Sequence, residues 1–308
     1  MHTNEEAKAW LRTIVGNHVG ANIRRYTFTT YTGGLKHNAL GGVSYLPPTE
    51  GKVVEVTDPW VLVKTAPNNF CIVLASLLDT PVAVGDKVAL QFYNLRRFDG
   101  TLADGSQDRS PDGICSFSLT GTQTLFPVKW EGRYLGINER HAATYQELRN
   151  PYLQALTQQC ETMPVDGGFR RVVNVLVDAG AHDLTFVDPP EESSCEIAPA
   201  ICCAIDSEHF HGHLAISYDR PSDTYTVTLK PTPLSELTKQ PKEGGQLWRH
   251  AINGEASFMD VHFDALGDVL QMAIDDGRWR EVKVTVLKPA PKRRTTAMGN
   301  DATTVQPS

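Results

Sequence analysis

The chain has 308 residues, which is ample for a sizeable core and more typical of two domains than of one. Its hydrophobic fraction of 41% and charged fraction of 21% are those of an ordinary folded protein, and no apolar run approaches the roughly 20 residues that cross a bilayer. The formal net charge of −7 argues against non-specific nucleic-acid binding by the chain as a whole.

The N-terminal stretch "NEEAKAWLRTI" predicts a short amphipathic helix with Asn4 as its cap and Trp10 and Leu11 on one face. Glu5 and Glu6 stand where a secretion signal would carry positive charge, so we expect a cytoplasmic protein. The six cysteines include no C-x-x-C pair, which fits reduced, structural thiols in that compartment.

Short strands dominate from there to about residue 130. Valines alternate on either side of the turn Thr57-Asp58-Pro59, and Gly85-Asp86 forms a second turn before the alternating "KVALQF". Short strands in close succession favour a small closed or nearly closed barrel. We therefore expect a barrel-like module in the β-rich N-terminal part.

Residues 51–100 also resemble the small KfrB-type domain found in accessory proteins of conjugative plasmids. The shared features are Gly51 before a valine strand, the turn that ends at Asp58, and the closing "PVAVGDKVALQFYN". The resemblance implies a role in plasmid maintenance rather than a defined activity. It leads us to expect an accessory protein of a plasmid or another mobile genetic element.

Helical patterns begin near residue 140. Pro151 suits the first turn of one helix, Asp166 starts a pattern that Gly180 ends, and Asp264 starts another. Between and after them we predict strands in "LTFV", "IAPAICCAI", "HFHGHLAISY", "TYTVTLK", "FMDVHF" and "VKVTVL". Because helices and strands do not alternate regularly, we expect an α+β fold with a mixed or antiparallel sheet in this half.

The predicted organisation has three parts. Residues 1–138 form the β-rich, barrel-like domain, and residues 139–287 form the α+β domain. Residues 288–308 are basic and then polar, with little hydrophobicity, which predicts a disordered tail.

The segment "SEHFHGHLAISY", residues 207–218, carries three histidines at alternate positions. If it is a strand, one face carries His209, His211 and His213, and the other carries apolar side chains that include Phe210 and Leu214. Burial of one apolar side chain contributes about 1.5–3 kcal/mol, so the apolar face is expected inside. The histidines are then expected on a solvated face of the sheet.

A metal site is the alternative interpretation of these histidines. Same-face residues lie about 6.7 Å apart on a strand, so His209 and His211 are the most that one strand supplies to zinc, with Asp260 and His262 as the best further donors. "HFHGH" also resembles the metal motif of metallo-β-lactamase-like hydrolases, although that family has an aspartate where Gly212 stands. The resemblance implies a metal-dependent hydrolase.

Other catalytic patterns are missing from the sequence, which has no G-x-S-x-G elbow for a serine nucleophile. We therefore expect a non-enzymatic accessory protein that acts through protein partners and uses no cofactor, and the metal-dependent hydrolase is the alternative. Small β modules bind through strand edges, loops and aromatic residues, and the predicted contacts here are Trp60, Tyr93 and Phe98.

Nucleic-acid binding is a third interpretation. It rests on the barrel-like module together with the basic start of the tail, where Lys292, Arg293 and Arg294 are consecutive. Such binding would weaken steeply as the salt concentration rises.

Overall fold

The structure is a computed structural model that describes residues 3–37, 42–108, 113, 126–130, 133–134, 145–166, 169–232 and 255–291. The chain divides into two compact units, each assembled from separate stretches of sequence. Unit 1 consists of residues 1–32, 48–91 and 282–308, and unit 2 consists of residues 33–47 and 92–281. The predicted boundary between residues 138 and 139 lies inside unit 2.

The described residues contain four α-helices and sixteen strands. The helices are α1 (Asn4–Ile14), α2 (Pro151–Thr162), α3 (Val172–Asp178) and α4 (Leu266–Ile274). The strands are β1 (Thr27–Tyr31), β2 (Lys36–His37), β3 (Val43–Ser44), β4 (Thr49–Thr57), β5 (Trp60–Ala66), β6 (Asn69–Leu74), β7 (Lys87–Gln91), β8 (Val128–Trp130), β9 (Arg133–Tyr134), β10 (Gln146–Glu147), β11 (His182–Val187), β12 (Ala200–Asp206), β13 (His211–Asp219), β14 (Thr224–Pro231), β15 (Ala256–Val261) and β16 (Lys283–Lys288).

Unit 1 is built on a six-stranded sheet in the order β1-β6-β5-β4-β7-β16. Strand β1 is parallel to β6, and the remaining pairs are antiparallel. We expected a closed or nearly closed barrel, and the described sheet does not close, since a barrel requires the two outer strands to pair and β1 and β16 lie at opposite edges. The strands predicted in 51–100 are present, but they belong to an open sheet.

Strand β16 comes from "VKVTVL", which we predicted as part of the C-terminal α+β domain. In the structure it pairs with β7 and completes the sheet of unit 1. Val282, the residue just before β16, is fully buried, and its backbone pairs with Leu78.

Helix α1 packs on one face of this sheet. Its N-cap is Thr3, which forms a capping box with Glu6, so Asn4 is the first helical residue and not the cap. The apolar stripe of the helix meets the same-face residues of β5 and β6. The buried members of this small core are Ala7, Leu11, Val15, Trp60, Leu62, Phe70, Ile72 and Leu74.

Unit 2 is built on a five-stranded antiparallel sheet in the order β11-β12-β13-β14-β15. Helix α2 begins at Pro151 as predicted, with Asn150 as its cap, and it contacts β12 and β13. Helices α3 and α4 contact each other, and their buried leucines and valines belong to the same core as the inner face of the sheet. Open mixed and antiparallel sheets with segregated helices confirm the predicted α+β class.

Among the described helices, none has both the length and the apolar composition needed to cross a bilayer.

Candidate anion-binding groove

Four lysines on neighbouring strands of unit 1 stand directly opposite one another. Lys52 on β4 is the cross-strand partner of both Lys64 on β5 and Lys87 on β7. Lys87 is also the partner of Lys288 on β16. Directly opposed residues project from the same face, and neighbouring strands lie about 4.8 Å apart, so these four residues form a row about 14 Å long. They are referred to below as the lysine row.

The alternation of each strand places these lysines on the same side. On β5, Lys64 follows Trp60 and Leu62 at intervals of two, and both of those residues pack against α1. On β7, Lys87 is exposed whereas its neighbour Val88 is fully buried. The lysine row therefore begins beside the α1 core and crosses the sheet toward the edge strand β16.

The lysine row lines a groove of about 580 Å³ on unit 1. The other lining residues are small, polar or proline side chains, which leave the lysine charges as the main chemical feature. These other lining residues are Glu50, Gly51, Thr65, Gly85, Pro289 and Pro291.

Only part of this positive charge is neutralised within the groove. Lys87 pairs with Glu50 at 3.2 Å, and both side chains are more than half exposed, so the pair is screened by water. The Nζ of Lys64 donates to the backbone carbonyl of His18 at 2.6 Å, which orients the side chain without cancelling its charge. Within the described part of the chain, neither Lys52 nor Lys288 forms an ion pair. Four lysines and one glutamate leave the groove with a net charge of about +3.

The distribution of charge along the chain follows the two units. Unit 1 carries 12 Lys and Arg against 8 Asp and Glu, a net charge of +4. Unit 2 carries 17 against 28, a net charge of −11. The total of −7, from which the sequence argued against nucleic-acid binding, therefore conceals a basic unit that carries the lysine row.

The lysine row is unfavourable for the sheet itself. Like charges directly opposite each other on neighbouring strands are destabilising, and the row contains three such pairs. Lysines often guard exposed sheet edges against aggregation, which accounts for Lys288 on β16. That explanation does not extend to Lys52 on β4, which has a paired strand on each side.

The histidine segment follows the predicted alternation. Strand β13 begins at His211, and Gly212, Leu214 and Ile216 are buried while His213 is exposed. This confirms the expectation that the apolar face packs inward. His209 precedes the strand, in a bend. The Nδ1 of His211 lies 3.1 Å from Asp206, its cross-strand partner on β12.

The residues proposed as metal ligands lie at opposite ends of the unit 2 sheet. The pairing of β13 with β14 and of β14 with β15 places Asp260 level with Ser217, two strands away from it, and Ser217 lies six residues along β13 from His211. At about 3.3 Å per residue this separation is about 20 Å, and His262 lies further on in the same direction. In the described residues, no three His, Cys, Asp or Glu side chains come together in an arrangement that could hold a metal ion.

The three aromatic residues predicted as contacts have packing roles in the structure. Trp60 is 4% exposed and stacks with Trp10 in the core of unit 1. In unit 2, Phe98 stacks on Phe126 and the hydroxyl of Tyr93 hydrogen-bonds to a buried carboxylate. The basic residues Lys292, Arg293 and Arg294 lie outside the described residues.

A buried ionic cluster in unit 2 was not predicted from the sequence. The fully buried Arg170 donates from Nε to Asp178 at 3.0 Å and from Nη1 to Asp275 at 2.8 Å. Tyr93 donates to both Oδ atoms of Asp178, and the ring of Trp279 covers the guanidinium at 4.2 Å. Burial raises the pKa of Asp178 to about 6, against the opposing effect of Arg170. Because the guanidinium is buried, this cluster holds α3 and α4 together rather than contacting a ligand.

Comparison of the chain with protein-family models, with curated proteins and with solved structures finds no match. The fold and the lysine row define an α+β protein with a basic groove on unit 1.

Proposed function

We propose that this protein is a non-enzymatic binding protein and that the lysine row of unit 1 binds an anionic macromolecule. The observation that carries the proposal is the direct cross-strand pairing of Lys52 with both Lys64 and Lys87 and of Lys87 with Lys288. A ligand with several negative charges offsets the repulsion that this arrangement creates in the free protein.

The chemistry of the groove supports binding more than catalysis. Its lysines supply charge and hydrogen-bond donors, and among the groove residues the one carboxylate, Glu50, is already paired with Lys87. General acid–base catalysis relies on groups whose pKa lies near the working pH. Ion pairing does not require a group with such a pKa, so the observed set of side chains is sufficient for binding.

The cellular role is part of the proposal. Three of the four lysines belong to residues 51–100, the range that resembles the KfrB-type domain of plasmid accessory proteins. This resemblance supports a cytoplasmic accessory protein of a mobile genetic element, which also engages protein partners. A metal-dependent hydrolase receives no comparable support, because the geometry of unit 2 separates His211 from Asp260.

The test compares two charge-matched double variants of the full chain. In Lys52→Gln/Lys288→Gln the lysine row loses the two members that form no ion pair with any described residue. In Lys8→Gln/Lys283→Gln two other lysines of unit 1, the half-buried Lys8 and the exposed Lys283, are neutralised outside the groove. The probe is fluorescein-labelled heparin, and its binding is followed by fluorescence anisotropy at low salt.

We expect Kd for heparin to rise at least about tenfold in the groove variant, because two of its ion pairs are lost. In the control variant we expect Kd to stay within about twofold of the wild-type value. Equal effects of the two variants would show that only the total charge matters, and the proposal would then be rejected.

A further inference from the structure

We infer that the anionic macromolecule is duplex nucleic acid, held through the phosphates of its backbone without reading of its bases. This inference rests on the proposed function and specifies the ligand of the same groove. Three features of the lysine row support it: its direction, the nature of its side chains and its length.

The direction of the row argues against a peptide added as an extra strand. Strand addition places a peptide alongside the edge strand β16 and parallel to it. Such a peptide would run beside Lys283 and Lys288, and it would not reach Lys52 or Lys64 on the inner strands. The row instead crosses the strands. A ligand that engages all four lysines therefore lies across the face of the sheet.

The side chains of the groove suit phosphates and not bases. Lysine is a compact point charge that binds phosphate without selecting a base. Bidentate reading of base edges is typical of Arg, Asn and Gln, whereas Lys and Thr contact both bases and phosphates, and single-stranded bases stack on aromatic rings. Among the described residues that line the groove there is no aromatic, Arg, Asn or Gln side chain, and the carboxylate of Glu50 is held by Lys87. Affinity is therefore expected to be independent of base sequence and not to depend on stacking.

The length and charge of the row set the strength of the salt dependence. Each strand of a duplex carries one phosphate per about 3.4 Å of helix axis, so a row about 14 Å long faces several phosphates. A net charge of about +3 in the groove neutralises about three of them, which gives a slope of log K against log salt of about −2.7. Single strands release fewer counterions, and the same three contacts would give about −2.1.

The residues that follow Pro291 in the sequence are positively charged, like the lysine row. Pro291 lines the groove, and the next three residues in the sequence are Lys292, Arg293 and Arg294. A variant with these three residues changed to glutamine separates their contribution from that of the lysine row, and it is included in the test.

The experiment uses the full chain and four labelled probes: two short DNA duplexes of unrelated sequence, one of their single strands, and polyglutamate. Anisotropy is measured with the wild type, Lys52→Gln/Lys288→Gln, the control Lys8→Gln/Lys283→Gln, and the triple variant of residues 292–294. Each titration is repeated between about 50 and 200 mM NaCl, the range over which phosphate contacts change affinity most visibly.

We expect both duplexes to bind with the same Kd and to bind more tightly than the single strand or polyglutamate. In the groove variant, the duplex slope should become less steep by about 1.8, and at about 0.1 M salt Kd should rise on the order of 50-fold. The control variant should keep the wild-type slope. The triple variant should weaken binding while retaining sensitivity to changes in the groove.

The remaining outcomes distinguish the failure of the duplex inference from the failure of the proposed binding role of the lysine row. Tighter, groove-dependent binding of polyglutamate would overturn the assignment to nucleic acid in favour of an acidic protein partner, and leave the binding role of the lysine row intact. Groove-dependent preference for the single strand, or for one duplex sequence, would overturn the backbone-only contact with a duplex. If all four probes bind the groove variant as they bind the wild type, both the inference and the proposed function fail.

Discussion

Lys52 and Lys87 face each other as direct cross-strand partners on the antiparallel strands β4 and β7. Lys52 has a second lysine partner, Lys64, on its other side, and the ammonium of Lys64 is held by the backbone carbonyl of His18. Side chains directly opposite each other on neighbouring strands interact by roughly 0.2–1 kcal/mol, and like charges make this contribution unfavourable. Because Lys52 does not favour folding of this sheet, we attribute its position to the proposed binding of an anionic ligand.

The first prediction is that removing this charge stabilises the protein. Lys52→Thr places a good strand former between Lys64 and Lys87 and should raise the free energy of unfolding by about 0.5–1 kcal/mol at low salt. Because salt screens the repulsion, the gain should shrink at high salt. Urea unfolding with Lys283→Thr as control tests this, since Lys283 lies opposite Gln91 on the same sheet. The same gain in both variants would assign it to β-propensity alone.

The second prediction concerns the close approach of β4 and β5 beside the groove. A Cβ added at Gly51 would lie 2.6 Å from the backbone oxygen of Lys64 and 2.6 Å from a methyl group of Val63. The backbone cannot yield locally without disturbing the pairing of Lys52 with Lys64, so Gly51→Ala should lower the free energy of unfolding by about 1–3 kcal/mol. Gly16→Ala is the control, because a Cβ at Gly16 meets nothing within 4 Å. Equal stability of the two variants would contradict the close approach.

The third prediction concerns Arg170 in unit 2. Arg170→Met removes the cation that two buried carboxylates share, Asp178 at 2.9 Å and Asp275 at 2.8 Å. Leaving buried charge without its partner typically costs about 3–5 kcal/mol, and we expect a loss of this size in chemical denaturation. Arg149→Met, at an exposed position in the same unit, should change stability by less than about 0.5 kcal/mol. A small loss at Arg170 would show that methionine packing replaces the ion pairs.

The fourth prediction is a pH dependence due to Asp178. Burial raises its pKa in the folded protein to about 6, from an ordinary value of 3.8. Between these values the folded state binds more protons than the unfolded state. The contribution of Asp178 to stability is therefore present at low pH and is lost as the pH rises toward about 6.

Asp178→Asn isolates this effect, because asparagine does not titrate and the other groups largely cancel in the comparison. The stability of the wild type relative to Asp178→Asn should fall between about pH 4 and pH 6, by up to about 3 kcal/mol, and then stay level. Unfolding free energies of both proteins across this range provide the measurement. A difference that rises with pH would mean that Arg170 holds the pKa of Asp178 below its ordinary value.

Local patterns in the sequence predicted the individual helices and strands of this fold better than they predicted which strands pair with each other. The alternation of β13 was sufficient to predict that Leu214 is buried and His213 is exposed, because side-chain direction depends on the strand alone. The pattern of β16 likewise predicted a strand, but it carried no information on which sheet the strand joins. The pairing of β16 with β7 depends on contacts between distant parts of the chain.

The lysine row was hidden from sequence analysis for the same reason. Lys52 follows Gly51 and precedes Val53, and Lys87 precedes Val88, as exposed lysines do in many strands. Only the register of β4, β5, β7 and β16 brings them side by side. The negative net charge of the whole chain also argued against a basic binding surface, because the acidic residues are concentrated in unit 2.

The last prediction addresses the metal interpretation of the histidines. His211 and Asp260 are separated by about 20 Å along the sheet, whereas zinc ligands must each place an atom within about 2.1 Å of the metal. We therefore expect untagged protein, purified without chelator, to contain well below one equivalent of zinc, and His211→Ala to leave that content unchanged. Elemental analysis of both proteins provides the measurement. Stoichiometric zinc that is lost in His211→Ala would require a different arrangement of β13 and β15, and it would restore the metal-dependent hydrolase as the leading hypothesis for unit 2.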